Sequence, residues 1–129
     1  MDGETLQRLA IERADELPGT GLEFPFGPEW QVYKVRGKVF MLMTQLRGEA
    51  IVTLKADPED AIALQDQYQD ITAGYHMNKK HWITLYPSGQ LSTALISALV
   101  TQSYLLVVAK LPRANRPVNP HTFGRETSA

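Results

Sequence analysis

The 129-residue chain has no cysteine. It therefore has no thiol nucleophile, no thiolate metal ligand and no disulfide framework, which removes thiol redox chemistry and most structural zinc modules together. GxGxxG and GxxxxGK are both missing, so neither a dinucleotide fingerprint nor a phosphate-cradling P-loop is encoded. The glycine-bearing stretch GLEFPFG at 21–27 is a loop with aromatics and lacks the helix start that a phosphate cradle requires. There is no nucleophile elbow either. The N-terminal segment MDGETLQRLAIERADELPG carries acids where a signal peptide would be basic, and no unbroken run of about 18 apolar residues is found. A cytoplasmic location and no association with a membrane are expected.

What is present suits an ordinary folded domain. A chain of this length buries roughly two-thirds of the surface its unfolded form exposes, so stability calls for neither disulfides nor metal. The hydrophobic share of 43% with 21% charged residues is typical of a globular protein rather than a disordered one. The formal net charge of −1 conceals a segregation. Residues 1–29 hold seven acids and two bases, and residues 57–70 hold five acids and no base. Between and after them, residues 30–56 hold five bases and one acid, and residues 71–129 hold six bases and one acid. Two basic blocks can thus share a face although the pI gives no hint of it.

Along the chain, Leu6, Leu9, Ala10, Ala14 and Leu17 recur at helical spacing over residues 4–17, ended by Pro18-Gly19. The linker TGLEFPFGPE opposes any regular element through its prolines and glycines. WQVYKV, KVFMLMTQL and EAIVTL, separated by Arg36-Gly37 and Arg47-Gly48, predict a three-stranded antiparallel meander. Both parities of the second strand are apolar, which makes it central. Asp57-Pro58-Glu59-Asp60 then supplies a cap, a proline for the first helical position and first-turn carboxylates, opening a helix to about Tyr68 with Ala61, Leu64 and Tyr68 on its buried stripe. A short strand near 71–75, a strand at HWITLY and a third helix after Ser92 follow, with Leu95, Ile96, Leu99, Ser103, Tyr104 and Val107 at core spacing up to Lys110. Residues 1–110 form one domain on this reading. Residues 111–129, with three prolines, few apolar residues and three arginines, read as a mobile tail.

The densest chemistry lies in HMNKKHW, residues 76–82. His76 and His81 are five apart, which neither a helix nor a strand converges, so a metal site needs a loop and a third ligand such as Asp70. No carboxylate close in sequence tunes either histidine as a general base. No metal and no cofactor are expected. Lys79-Lys80 at a hairpin tip presents two point charges to phosphates, while Lys34, Arg36 and Lys38 cluster at the other tip. The ordinary alternatives are a solvated loop for the lysines, core packing for Trp82 and hydrogen-bonded structural roles for the histidines.

The segment from Lys55 to Val107 resembles the core of the MmcQ/YjbR family of small bacterial proteins. Lys55, Pro58, Tyr75, His76, Asn78, Lys79, His81, Trp82, Ser103 and Tyr104 occupy the positions of that family's pattern. The resemblance covers about residues 4–110 and leaves the proline-rich tail without a counterpart. It implies an α+β fold of order α-β(3)-α-β(2)-α, an antiparallel sheet packed with helices, of the secretion chaperone-like, double-wing or CyaY-like kind. It also implies a DNA-binding label that rests on structural analogy.

Two functions from different classes follow. One is a non-enzymatic DNA-binding protein with Lys34, Arg36, Lys38, Lys79 and Lys80 as phosphate contacts. The other is a protein- or peptide-interaction module with an exposed sheet face or groove. A ligand binder or enzyme built on Tyr75, His76 and His81 is a third, minor reading. Charge geometry separates the first two: basic blocks converging on one region favour DNA, and scatter around an apolar patch favours a protein partner.

Overall fold

The computed structural model describes residues 1–75, 77–87 and 89–124. Helix α1 (Gly3–Asp15) starts where the Asp2 carboxylate accepts the Thr5 N–H at 2.7 Å, and it buries Leu6, Ala10 and Ala14. Strands β1 (Thr20–Glu23), β2 (Gln31–Val35), β3 (Lys38–Leu46) and β4 (Glu49–Lys55) follow, then helix α2 (Pro58–Gln67), β5 (Ile71–Ala73), β6 (Trp82–Leu85) and helix α3 (Thr93–Lys110). The strands form one antiparallel sheet in the order β1-β2-β3-β4-β6-β5.

The α+β class and the three-stranded meander agree with expectation. Both meander turns are two-residue loops with positive φ at each position, 48° and 82° at Arg36-Gly37 and 53° and 84° at Arg47-Gly48. That is the turn whose twist matches paired strands. The apolar residues on both parities of β3 have a specific cause. A bulge opposite Tyr33 and Lys34 places an extra residue in β3, so that Phe40 and Met41 both enter the helix-side core, while Val39 and Leu42 face the other way.

Two expectations are corrected. The 20–29 linker contains β1, which pairs with β2 from Thr20↔Val35 to Glu23↔Val32. Edge strands need only one partner, so four residues between a glycine turn and a proline suffice. The segment after Lys110 does not hang free as far as it is described. Arg116 donates to the carbonyls of Ala109 at 2.7 Å and Leu111 at 3.0 Å, serving the otherwise open end of α3. Val118 and Phe123 pack on the core, with the Phe123 ring 6.2 Å from that of Tyr104. Residues 125–129 lie outside the described residues.

The core lies between one sheet face and helices α1 and α3. Aromatic rings run through it: Tyr33 meets Phe40 at 6.5 Å, and Phe40 meets Tyr104 at 5.6 Å, edge to face. Burial drives the Tyr104 phenol up to about 12, and its hydroxyl donates to the Pro18 carbonyl at 2.6 Å, tying α3 to the end of the α1 turn. Helix α3 is long and apolar enough to cross a membrane by length and composition, although Thr, Ser, Gln and Lys interrupt its apolar residues. Here it packs against α1, β3 and β4.

Trp82 is buried, on the sheet face away from α1 and α3, in a second cluster with Val32 and Leu42. His81 precedes β6 and is exposed, its carbonyl accepting the Ala56 N–H at 2.8 Å. Gly74 passes so close to Trp82 that a Cβ there would lie 2.5 Å from the Trp82 Cβ. Removing the indole opens a cavity that this tight crossing cannot close. Trp82→Ala is expected to cost about 3–5 kcal/mol in urea unfolding; a midpoint equal to the parent's would contradict the packing.

Candidate functional site

The antiparallel register decides where the basic residues go. The start of β3, the end of β4 and the start of β6 lie at the same end of the sheet, because Met41 pairs with Leu54 and Lys55 with Trp82. Lys38 opens β3, Lys55 closes β4, and the loop bearing Lys79 and Lys80 leads directly into Trp82. Arg36 sits in the turn before Lys38. Lys110, at the last position of α3, reaches the same place: Lys38, Val39, Lys55, Trp82, Val107 and Lys110 line one cleft of about 470 Å³.

Within it, Lys55 stands opposite Trp82 on a shared face, its ammonium 5.9 Å from the ring centre, within cation–π range. Burial, and then the Lys110 ammonium beside it, hold the Lys55 amine below its ordinary value. Among the described residues the ion pairs are Arg8–Glu12, Arg13–Glu16 and Lys34–Glu23, so none involves Arg36, Lys38, Lys55, Lys79, Lys80 or Lys110. The nearest acids in sequence open α2, where Asp57 is occupied as its cap, accepting the Glu59 N–H at 3.0 Å.

The structure sorts the five candidate phosphate contacts. Arg36, Lys38, Lys79 and Lys80 are exposed at the cationic end. Lys34 does not join them as a free charge, because its ammonium is turned across the β1–β2 pair to Glu23 at 3.1 Å. That partner could not be foreseen while β1 was read as a loop. Lys110 was missed because its proximity to Lys55 is a tertiary fact; only its place at a helix end is visible in the sequence.

Most positions of the sequence pattern turn out to build this end rather than to face solvent in it. Asn78 shapes the loop, accepting the Lys80 N–H on Oδ1 at 2.9 Å and the His81 N–H on its carbonyl at 3.2 Å, which presents Lys79 and Lys80 outward. Pro58 occupies the first turn of α2. Ser103 is buried, donates to the Phe40 carbonyl and accepts the Lys55 N–H at 2.8 Å. It thus replaces the rung that β3 and β4 lose beyond Met41↔Leu54. Tyr75 is placed by its N–H to Thr84 Oγ1, 2.8 Å, and its ring stacks on Trp30 at 6.5 Å and 10°. His76 lies outside the described residues. Asp70 pairs toward Tyr86, five residues along β6 from His81, roughly 16 Å at strand spacing. It cannot share a metal with His81, and no group of three His, Asp or Glu converges among the described residues.

A single α+β domain of six antiparallel strands, with a cationic cleft at one sheet end, is the class that these observations define. Residues 15–106 match the YjbR family model, and the chain belongs to that family. It is 45% identical over 116 residues, 90% of this chain and 95% of the other, to the protein YbdF of Escherichia coli O157:H7. It is 34% identical over 98 residues to YjbR of Escherichia coli K12, covering 74% of this chain and 83% of the other. The crystal structure of Deinococcus radiodurans protein DR2400, a DUF419 domain, superposes with TM-score 0.75 at 36% identity over 81% of this chain and 80% of that one. A Pseudomonas syringae crystal structure does so with TM-score 0.66 at 26% identity over 78% and 97%.

Two predictions test the site's construction. Ser103→Ala leaves the Phe40 carbonyl and the Lys55 N–H without their partner, at a cost on the order of 2–3 kcal/mol in chemical unfolding. For Lys55, the depressed amine means that, just below the ordinary lysine range, the unfolded chain binds more protons than the folded one. Its contribution to stability therefore rises with pH through that window and is lost as pH falls through the folded value. A lysine ¹³Cε titration is expected to find Lys55 deprotonating early, and Lys110→Met to return it only part-way, since burial is the larger cause.

Proposed function

We propose that this chain is a non-enzymatic, cytoplasmic protein that binds DNA by its phosphates, through Arg36, Lys38, Lys55, Lys79, Lys80 and Lys110. The observation that carries the proposal is their gathering at one sheet end, with no ion-pair partner among the described residues. Burial first, and then the Lys110 ammonium, disfavours the charged form of Lys55, and a polyanion relieves the second of these on binding. Flexible ammonium groups contact phosphate without reading bases, and of the six cations only Lys110 lies on a helix, at its last residue, so little sequence preference is expected.

A second reading, a peptide-binding module, draws support from the exposed apolar side chains of Leu22 on the edge strand β1 and of Phe24 and Phe26 after it. The charge geometry favours DNA over it, because the cations converge instead of scattering around that patch.

Fluorescence anisotropy with a labelled duplex across a salt series tests the proposal. Six phosphate contacts predict a slope of log affinity against log salt of roughly −5. Lys79→Ala/Lys80→Ala should lower its magnitude by nearly two and leave the melting temperature nearly unchanged, whereas Lys34→Ala should leave the slope as it is. Absence of binding at low salt, or binding indifferent to the double substitution, would pass the function to the peptide reading.

A further inference from the structure

We propose that the nucleic acid this chain holds best is single-stranded, with one unpaired base seated in the aromatic pocket formed by Phe26, Trp30, Leu42, Tyr75 and Met77. The inference rests on the phosphate-binding reading above and specifies its ligand. The pocket lies on the sheet face away from α1 and α3 and has a volume of about 280 Å³. That is just under the range of about 300–1,000 Å³ that drug-sized ligands occupy, so it suits one planar ring system rather than an extended peptide. The Trp30 and Tyr75 rings that line it lie within 10° of parallel, their centres 6.5 Å apart. Phe26, 66% exposed, stands at its mouth.

The pocket and the cationic cleft are neighbours, joined by one side-chain cluster. Trp82, which lines the cleft, belongs to the same cluster as Leu42, which floors the pocket, with Trp30, Val39 and Met77 packed around them. Across the sheet Leu42 pairs with Thr53 and Thr53 with Thr84. The Lys55–Trp82 pair lies two residues along from that row, roughly 7 Å at strand spacing. A strand whose phosphates lie along Lys38 and Lys55 therefore brings a neighbouring base to the pocket. A duplex cannot use it, because its bases are stacked and paired; only an unpaired base offers a face to an aromatic wall. The cations bordering this apolar stripe select a polyanion over an uncharged apolar partner.

The experiment compares labelled oligo(dT), an abasic strand of equal length and a duplex, all bound to the full chain in anisotropy measurements. Oligo(dT) is expected to bind more tightly than either of the others and to quench tryptophan emission, which the abasic strand should not do. Phe26→Ala, whose exposed ring contributes little to folding, should weaken oligo(dT) roughly tenfold, leaving duplex affinity, salt slope and melting temperature unchanged. Equal binding of all three ligands, untouched by Phe26→Ala but lost in Lys79→Ala/Lys80→Ala, overturns the base pocket and leaves the phosphate reading standing. No binding of any of them at low salt overturns both. Uptake of bis-ANS at the pocket that oligo(dT) fails to displace would assign the pocket to an apolar protein partner and overturn the inference.

Discussion

The hydroxyl of Ser103 is the contact on which the functional end depends. A bulge in β3 leaves the Phe40 carbonyl and the Lys55 N–H without a strand partner, and this one buried side chain satisfies both. Because Ser103 belongs to α3, the same two hydrogen bonds set the height of the helix on the sheet. Seven residues on, two helical turns, lies Lys110, and its nearness to Lys55 follows from that setting. The neighbouring Tyr104 reinforces it through Pro18 and through the ring of Phe40.

What is held in place is unfavourable on its own terms. Three ammonium groups share one cleft, and in the turn beside it Arg36 occupies a left-handed position, where asparagine or glycine would fit better. Each costs on the order of 1 kcal/mol or less in so exposed a setting. The buried face between the sheet and helices α1 and α3 sustains that cost, and it lies elsewhere in the domain. Local rules broken at one end, with a regular core behind it, are the usual mark of a surface shaped by what it binds.

Much of the fold was legible because its signals are local. The Asp57-Pro58 helix start, the Ser92 cap and the two Arg-Gly turns needed only their neighbours, and each stands where the sequence puts it. Strand β1 was illegible because its residues alternate with glycine and precede prolines, and it exists only because β2 offers an open edge. The tail was misjudged for a related reason: Arg116 looks like a solvated charge until the open carbonyls of α3 are beside it. At the site, Lys38, Lys79 and Lys80 could be picked out as charges at turns. Removing Lys34 and adding Lys55 and Lys110 required the pairing of β1, the pairing of β4 with β6 and the setting of α3, all products of tertiary packing.

The recurrent residues of the family pattern divide by what they do here. Pro58, Asn78, Ser103 and Tyr104 start a helix, shape a loop, bridge two strands and anchor a helix, and none offers a charge. Lys55, Lys79 and Trp82 are what those supports present, two cations and the ring that lies behind one of them. A matching pattern therefore supplies the supports of this end, while Lys38 and Lys110 in the cleft, Lys80 in the loop before β6, and Phe26 and Met77 beside it lie outside the pattern. On the phosphate-binding proposal, relatives that share the supports but differ at those positions would differ in what they hold. The charges and rings of each chain, more than the fold they share, determine what it binds.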